Sequence, residues 1–283
     1  MNLKKQQIIN AAYTLFINKG YNASSIQDIL DEAGVSKGTF YNYFASKAEC
    51  LIAIMESIGS EIRQKRMAAA VGKPLNNSDV LAEQLCIRIQ MNREKNLFSL
   101  YESIFYSQDE ELKKFARETY SSEIEWIATR IVDVFGEESR PYALENAAVV
   151  HGSIQQLTNV WKLTASEELP TEQLSAFVIR RLKEAILNQM ATKDQFITKS
   201  KILLDNRNEP MSLEDLSTKL KTLLLEEEDD IKQLVSFLAD ELVMKTPRKP
   251  LIESILSTLA NNYSYEHELV IALEKVWKEL QHM

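Results

Sequence analysis

The residues best suited to binding chemistry lie between positions 36 and 47, in the run SKGTFYNYFASK. On a helix with 100° per residue, Phe40 and Phe44 share one face, which we expect to be buried. The opposite face should be polar and free of carboxylates, and it carries Gly38, Thr39, Tyr41, Asn42 and, nearer the buried edge, Tyr43.

This face has the chemistry of a surface that reads double-stranded DNA. An asparagine amide can bond to adenine, a threonine methyl can contact thymine, and a glycine lets the backbone approach the groove. Lys37 and Lys47 lie near helix starts, where backbone N–H groups also favour phosphate. The predicted DNA-binding residues are Ser25, Ser36, Lys37, Gly38, Thr39, Tyr41, Asn42, Tyr43 and Lys47. A small solvated helical hairpin without a ligand is the alternative.

Two short helices must position this face. Ser25 can cap the first, with Asp28 as its capping-box partner, and Gly34 suits a left-handed helix end. Ser36 can cap the second helix only two residues later, which forces the steep crossing of a helix-turn-helix. An earlier helix over residues 4–19 should pack on this pair through Ile9, Ala12, Tyr13 and Phe16.

Residues 1–60 resemble the DNA-binding domain of the TetR family of bacterial transcription regulators. The resemblance rests on Ile9, Ala12, Phe16, Gly20, Tyr21, Ser25, Asp28, Ile29, the run from Ala33 to Tyr41, Tyr43, Phe44, Ser46 and Lys47. It departs from the pattern only slightly, with Ser25 in place of the usual threonine and Cys50 in place of the usual leucine. The resemblance implies a helical regulatory domain, a homodimer and a fourth helix that transmits ligand-driven movement.

Composition and charge agree with a protein that touches DNA at one end. The 283 residues are 45% apolar and 26% charged, with a net charge of −8, as in an ordinary globular protein. Residues 1–66 carry eight basic and six acidic side chains, a net charge of +2. Residues 67–190 and 191–283 each carry a net charge of −5, which would repel DNA.

The pattern after residue 46 predicts helices throughout. A fourth helix should begin at Ser46 and run to about residue 70. Five more are expected at about 78–92, 95–106, 107–134, 141–164 and 171–190, the third capped by Ser107 with Glu110. Through the resemblance, the last two should form the dimer interface as a four-helix bundle.

The resemblance also implies a small, largely apolar effector, which we expect among the helices spanning 95–164. Efflux regulation is a common role of the family, so lipophilic cations and amphiphiles are the first compounds to test. The candidate effector residues are Phe98, Tyr101, Phe105, Trp126, His151, Gln155, Asn159 and Trp161. Aromatic side chains at helical spacing more often form core than line a pocket, so the core interpretation competes at each position.

Nothing in the sequence predicts catalysis. The three histidines, at 151, 267 and 282, are too scattered for a metal site or a proton relay. We therefore expect no enzyme activity, no metal and no cofactor. A run of eighteen apolar residues is also missing, so we expect no membrane partner. The two cysteines, at 50 and 86, form no pattern, which favours a cytoplasmic chain with two unpaired thiols.

The last ninety or so residues have no recognised family. They predict a capped helix from Ser212, a second with a charged start at residues 226–230, and two more at 251–261 and 265–281. Their apolar stripes favour docking on the regulatory domain, where they would extend the dimer contact or close the pocket. An independent bead on a polar linker is the alternative.

The sequence thus predicts an all-α protein with a three-helix helix-turn-helix domain (1–66), a helical effector-binding and dimerisation domain (67–190) and an extra helical module (191–283). The expected function is a sequence-specific, ligand-released repressor that binds a near-palindromic operator as a homodimer. The alternative is a helical protein-interaction module that keeps the fold without binding DNA.

Overall fold

A computed structural model describes residues 3–105, 107–198, 211–226, 229–262 and 267–280, without the side chains of Phe98, Ser99, Glu102, Phe105, Leu225, Glu226, Asn262 and His267. Over these ranges the chain is helical and holds no strand, so the all-α prediction is confirmed. The helices are α1 (Leu3–Asn18), α2 (Ile26–Ala33), α3 (Lys37–Tyr41), α4 (Lys47–Ala70), α5 (Ser78–Glu94), α6 (Leu97–Phe105), α7 (Glu110–Phe135), α8 (Arg140–Thr164), α9 (Thr171–Thr192), α10 (Leu213–Thr222), α11 (Asp229–Leu242), α12 (Lys249–Asn262) and α13 (His267–Leu280).

Helices α1 to α3 form the predicted three-helix unit. The predicted stripe of α1 is buried at Ala12 and Phe16, and Ile9 and Tyr13 pack against the same core as partly buried residues. Ile8 and Ala11 are also buried, which the sequence analysis missed. The Tyr13 hydroxyl donates to the Lys95 carbonyl at 3.2 Å. The core of this unit continues into α6 and the start of α7 through Leu97, Leu100, Ile104 and Leu112.

Helix α4 contributes to two hydrophobic cores of the protein, one with each of its halves. The Ser46 hydroxyl caps it by accepting from the Glu49 N–H at 3.0 Å, as the sequence predicts. Its first half packs in the core of α1 to α3 through Leu51 and Ile54. Its second half packs against the C-terminal helices through Met67 and Ala70. A single 24-residue helix therefore joins all parts of the chain.

Helices α5, α7, α8 and α9 share one further core, which includes Leu85, Ile127, Ala143 and Val178. The predicted capping box at the start of α7 is wrong. The cap is Asp109, whose carboxylate accepts from the N–H groups of Glu111 and Leu112. Ser107 instead accepts from the Asp109 N–H at 3.0 Å. Asp109 replaces Ser107 as the cap because one carboxylate oxygen can accept from both free N–H groups of the first turn.

Helices α10 to α13 form a C-terminal module that docks on α4. Its core is apolar and includes Leu220, Leu238, Leu256, Leu273 and Trp277, and this core takes in Met67, Ala70 and Val80 from α4 and α5. Two polar contacts add to the apolar docking: Arg63 pairs with Glu274 at 3.3 Å, and the Gln64 amide donates to the Ala260 carbonyl at 3.0 Å. The docking surface is therefore mainly α4.

The segment after α9 is tied back to α8 by one buried carboxylate. Glu145 accepts from the N–H groups of Phe196 and Ile197 at 2.9 and 2.8 Å. Gln189 also donates to Glu145 at 2.7 Å. The described part of the connection to the C-terminal module thus begins as a fixed turn against α8.

Candidate nucleic-acid interface

The turn between α2 and α3 is built from side-chain caps and one glycine. Ser25 and Asp28 form the predicted capping box. Gly34 adopts φ 62°, a left-handed conformation that glycine reaches without a steric penalty. Ser36 caps α3 by accepting from the Thr39 N–H at 3.1 Å. The hydroxyls of Ser25 and Ser36 thus cap α2 and α3.

The outward face of α3 has the predicted character. Phe40 and Phe44 are buried. Lys37, Gly38, Tyr41 and Asn42 are exposed, whereas Thr39 and Tyr43 are partly buried. The helix itself is shorter than predicted, because it ends at Tyr41 and Asn42 is its C-cap. Asn42 therefore stands at the end of the exposed face.

Lys47 has a structural role that the sequence does not reveal. Its ammonium donates to the carbonyls of Tyr21 and Ser24 at 2.8 and 2.7 Å, and it lies 4.2 Å from the centre of the Tyr21 ring. These contacts tie the start of α4 to the α1–α2 connection. Burial lowers the pKa of Lys47, against a weaker opposing effect of Asp28. Lys37 is accordingly the cleaner probe of phosphate binding.

The predicted effector residues separate into two groups. Tyr101, Trp126 and His151 lie around a cluster of charged side chains between α4 and α8. Gln155 and Asn159 are exposed on α8, and the Trp161 indole N–H donates to the Glu167 carbonyl at 3.0 Å. The side chains of Phe98 and Phe105 lie outside the described residues.

The centre of that cluster is an ion pair that sequence reasoning missed. Both guanidinium Nη atoms of Arg66 bond to the Glu123 carboxylate, at 3.1 and 2.7 Å. The Trp126 ring lies 3.6 Å from the Arg66 guanidinium carbon, and Arg66 Nε donates to the Gln84 carbonyl. A lone arginine and a lone glutamate on separate helices look in sequence like surface residues, so no local signal marks the pair.

Burial and neighbouring charge act in opposite directions on this cluster. Burial alone would raise the pKa of Glu123, but the guanidinium groups of Arg66 and Arg88 outweigh it and hold the pKa at about 2. Burial lowers the pKa of His151, and the charge of Glu123 opposes that shift only in part. At neutral pH the carboxylate is therefore ionised and the imidazole is neutral.

The described side chains hold no group of three or more histidine, cysteine, aspartate or glutamate residues placed to bind a metal ion. Among the described helices, none combines the length and the apolar character that crossing a bilayer requires.

Comparison with known proteins agrees with this geometry. Residues 8–54 match the family profile described as bacterial regulatory proteins, tetR family. The chain is 28% identical to YerO, an HTH-type transcriptional regulator of Bacillus subtilis (strain 168), over 96% of this chain and 95% of that protein. It is 23% identical to YuxN, an HTH-type transcriptional regulator from the same strain, over 93% of this chain and 94% of that protein. Both similarities therefore extend through most of the C-terminal module.

A solved structure gives the same fold over a smaller part of the chain. The crystal structure of a TetR-family transcriptional regulator from Mesorhizobium loti MAFF303099 aligns with a TM-score of 0.50 at 21% identity. The alignment covers 65% of this chain and 95% of that one, so about a third of this chain has no counterpart there. From the matched N-terminal profile and the full-length relatives, the chain is a DNA-binding transcriptional regulator whose residues 8–54 form a TetR-family DNA-binding domain.

Proposed function

We propose that the protein is a ligand-released repressor that acts in the cytoplasm as a homodimer and binds a near-palindromic operator through α3. The observation that carries the proposal is the exposed, carboxylate-free face formed by Lys37, Gly38, Tyr41 and Asn42. We retain 1–66, 67–190 and 191–283 as its DNA-binding, regulatory and additional domains. The nine predicted DNA-binding residues stay the proposed interface, with Ser25, Ser36 and Lys47 holding its shape.

Gly38 supports a close approach to the duplex. A methyl group added at Gly38 would meet only the Ser36 hydroxyl oxygen, at 3.8 Å, which is an ordinary van der Waals distance. Gly38 also shows no left-handed φ. The fold therefore gives no internal reason for a glycine here, and alanine would favour the helix by up to about 1 kcal/mol. A backbone that must lie against a groove wall explains the residue.

Three substitutions test this interface. Gly38→Ala should keep or raise the thermal midpoint while weakening operator binding. Asn42→Ala should lose discrimination between operator and random DNA, by about 1–3 kcal/mol if the amide makes a bidentate base contact. Lys37→Ala should weaken both DNAs alike and reduce the salt dependence. Fluorescence anisotropy at several salt concentrations measures all three.

The matched control is Lys232→Ala, a partly buried lysine on α11, far along the chain from α3. It should bind like the parent. If Gly38→Ala and Asn42→Ala also bind both DNAs like the parent, α3 is not the reading element. That result would favour the alternative function, a helical protein-interaction module that does not bind DNA.

The proposed homodimer rests on the outer faces of α8 and α9, the dimer helices that the sequence predicts. Both expose large apolar side chains to solvent: Val149, Leu157, Val160, Leu163, Phe177 and Leu187. Isolated apolar side chains are normal on a surface, but two neighbouring helices that share such a face fit an association site. A four-helix bundle with a second copy would bury them.

Sedimentation analysis tests the dimer. Val160 is 52% exposed, and Val160→Glu should shift the protein toward monomer because it would place a carboxylate in an apolar interface. Met244→Glu, at an equally exposed apolar residue after α11, is the control and should leave the dimer unchanged. If the protein stays dimeric with Val160→Glu and becomes monomeric with Met244→Glu, the dimer interface lies on the C-terminal module instead.

Release is proposed to act through α4 and α6. Both helices contribute to the core that holds the DNA-binding unit, and α6 lies beside the Tyr13–Lys95 hydrogen bond. A small, largely apolar effector among Tyr101, Trp126 and His151 would act by favouring a dimer with misaligned α3 helices. Of the other predicted residues, Phe98 and Phe105 share α6, whereas Gln155, Asn159 and Trp161 lie further along α8.

A further inference from the structure

Arg88 is a charged residue of the regulatory core whose binding capacity is mostly unused. It projects from α5 and is partly buried. In the described part of the chain, its one hydrogen bond runs from Nη2 to the Tyr101 hydroxyl on α6, at 3.3 Å. None of the ion pairs between described residues includes it. A guanidinium has five N–H donors, so most of its donors are open to another partner.

The unbonded donors of Arg88 are not completely buried. The side chain as a whole is partly buried. Among the described side chains, the single fully buried nitrogen or oxygen atom without a partner is Trp277 Nε1, so the unbonded nitrogen atoms of Arg88 keep some accessible surface.

The charge around Arg88 is unbalanced. Glu123 is the one carboxylate described as acting on both arginines, and Arg66 already bonds to both of its oxygens. His151, from α8, adds no negative charge. Among the described side chains, two guanidinium groups thus share Glu123 and no ion pair includes Arg88, which leaves an excess positive charge at Arg88.

Aromatic side chains lie near this charged cluster. Trp126 packs on the Arg66 guanidinium. The Tyr120 ring meets the His151 ring edge-on, with 5.4 Å between centroids. Tyr120 is 54% exposed, so this pair of rings reaches the surface of the molecule.

We propose that the effector of this regulator is an anionic amphiphile whose carboxylate or phosphate head group binds Arg88 and whose apolar part lies along Tyr120, Trp126 and His151. The proposal rests on the ligand-release function proposed above and specifies its ligand class. Guanidinium groups bind both head groups as paired N–H donors. Lipophilic cations, which the family resemblance suggested together with amphiphiles, would be repelled by the excess positive charge.

Binding at Arg88 also supplies a route to the DNA-binding unit. The Arg88–Tyr101 hydrogen bond joins α5 to α6. An anion that draws Arg88 away would free Tyr101, and Leu100 and Ile104 on the same helix pack in the core of α1 to α3. Movement of α6 would therefore reach the DNA-binding unit directly.

Calorimetry on the full-length protein, without DNA, tests the site. The probes are decanoate, decyl phosphate, decyltrimethylammonium and decanol, each below its micelle concentration. At least one anion should bind, and whichever binds more tightly identifies the head group. Arg88→Gln should weaken that binding at least about tenfold. Arg88→Lys keeps the charge but loses the paired N–H donors, so its affinity should lie between those of the parent and Arg88→Gln. Arg93→Gln, at an exposed arginine on the same helix, should bind like the parent.

Several results would overturn the assignment. They are tighter binding of the cation or the alcohol than of both anions, unchanged anion binding in Arg88→Gln, and equal losses in Arg88→Gln and Arg93→Gln. Operator release is measured separately by anisotropy. If an anion binds at Arg88 but the operator stays bound, the ligand-release function is contradicted and the anion site at Arg88 is supported. If only the cation releases the operator, ligand release is supported and the anion site is contradicted.

Discussion

A chain that ends at Thr192 is expected to lose much of its stability and to aggregate, because the C-terminal module covers an apolar face of α4 and α5. Met67 and Val80 are buried in the core that this module completes. Fully burying side chains of this size contributes about 1.5–3 kcal/mol each. The expected result is a lower thermal midpoint and light scattering at concentrations where the full chain stays clear.

A single substitution tests the same docking more gently. Trp277 on α13 is 2% exposed, and its ring lies 6.0 Å from the Arg130 guanidinium carbon on α7. Trp277→Ala should cost about 3–5 kcal/mol, as for other large buried aromatic side chains. Phe237→Ala, at a half-exposed position of the same module, is the control. Equal thermal midpoints for the parent and the truncated chain would show instead that the module is an independent bead.

Glu123→Ala is the second substitution with a large expected effect. It leaves the buried Arg66 guanidinium without its carboxylate, and breaking a buried pair on one side typically costs about 3–5 kcal/mol. The matched control is Glu184→Ala, since Glu184 pairs with Arg181 in the open, with both side chains more than half exposed. That exposed pair should contribute at most about 1 kcal/mol. Thermal unfolding of both variants under one set of conditions gives the comparison.

The same ion pair predicts a pH dependence. The folded pKa of Glu123, about 2, lies below its ordinary value of 4.5. The pair therefore adds stability that is fully present above pH about 4.5 and is lost as the pH falls toward 2. Glu123→Ala should lose less stability than the parent over that acid range. A parent and a variant with parallel pH profiles would argue against the low pKa.

The helix-turn-helix could be predicted because its signals are local. Ser25 with Asp28, Gly34 and Ser36 act within one turn of their own positions, so their spacing alone predicts the caps and the crossing. The end of α3 at Tyr41 was harder to predict, because the sequence continues in helical periodicity through Phe44. The structural bonds of Lys47 to residues 21 and 24 depend on how α4 folds back, which no short-range pattern encodes.

The cluster of charged side chains between α4 and α8 could not be predicted from the sequence. The sequence analysis selected the aromatic residues of this region, but the charged residues Arg66, Arg88 and Glu123 form the centre of the cluster. They come from three separate helices, and each alone resembles a solvated surface charge. The docking of α12 and α13 on α4 is likewise a long-range contact. Its apolar stripes predicted burial, but not the partner.

Selection of DNA from a random pool by the purified full-length protein tests the central claim most directly. We predict enrichment of a near-palindrome whose half-site centres are about 34–36 Å apart or somewhat more, as for two symmetry-related recognition helices. Asn42→Ala, carried through the same selection, should enrich no such sequence, while Lys232→Ala should enrich the parental one. A parent protein that enriches no sequence, or an Asn42→Ala variant that enriches the same site equally well, would contradict DNA reading by α3.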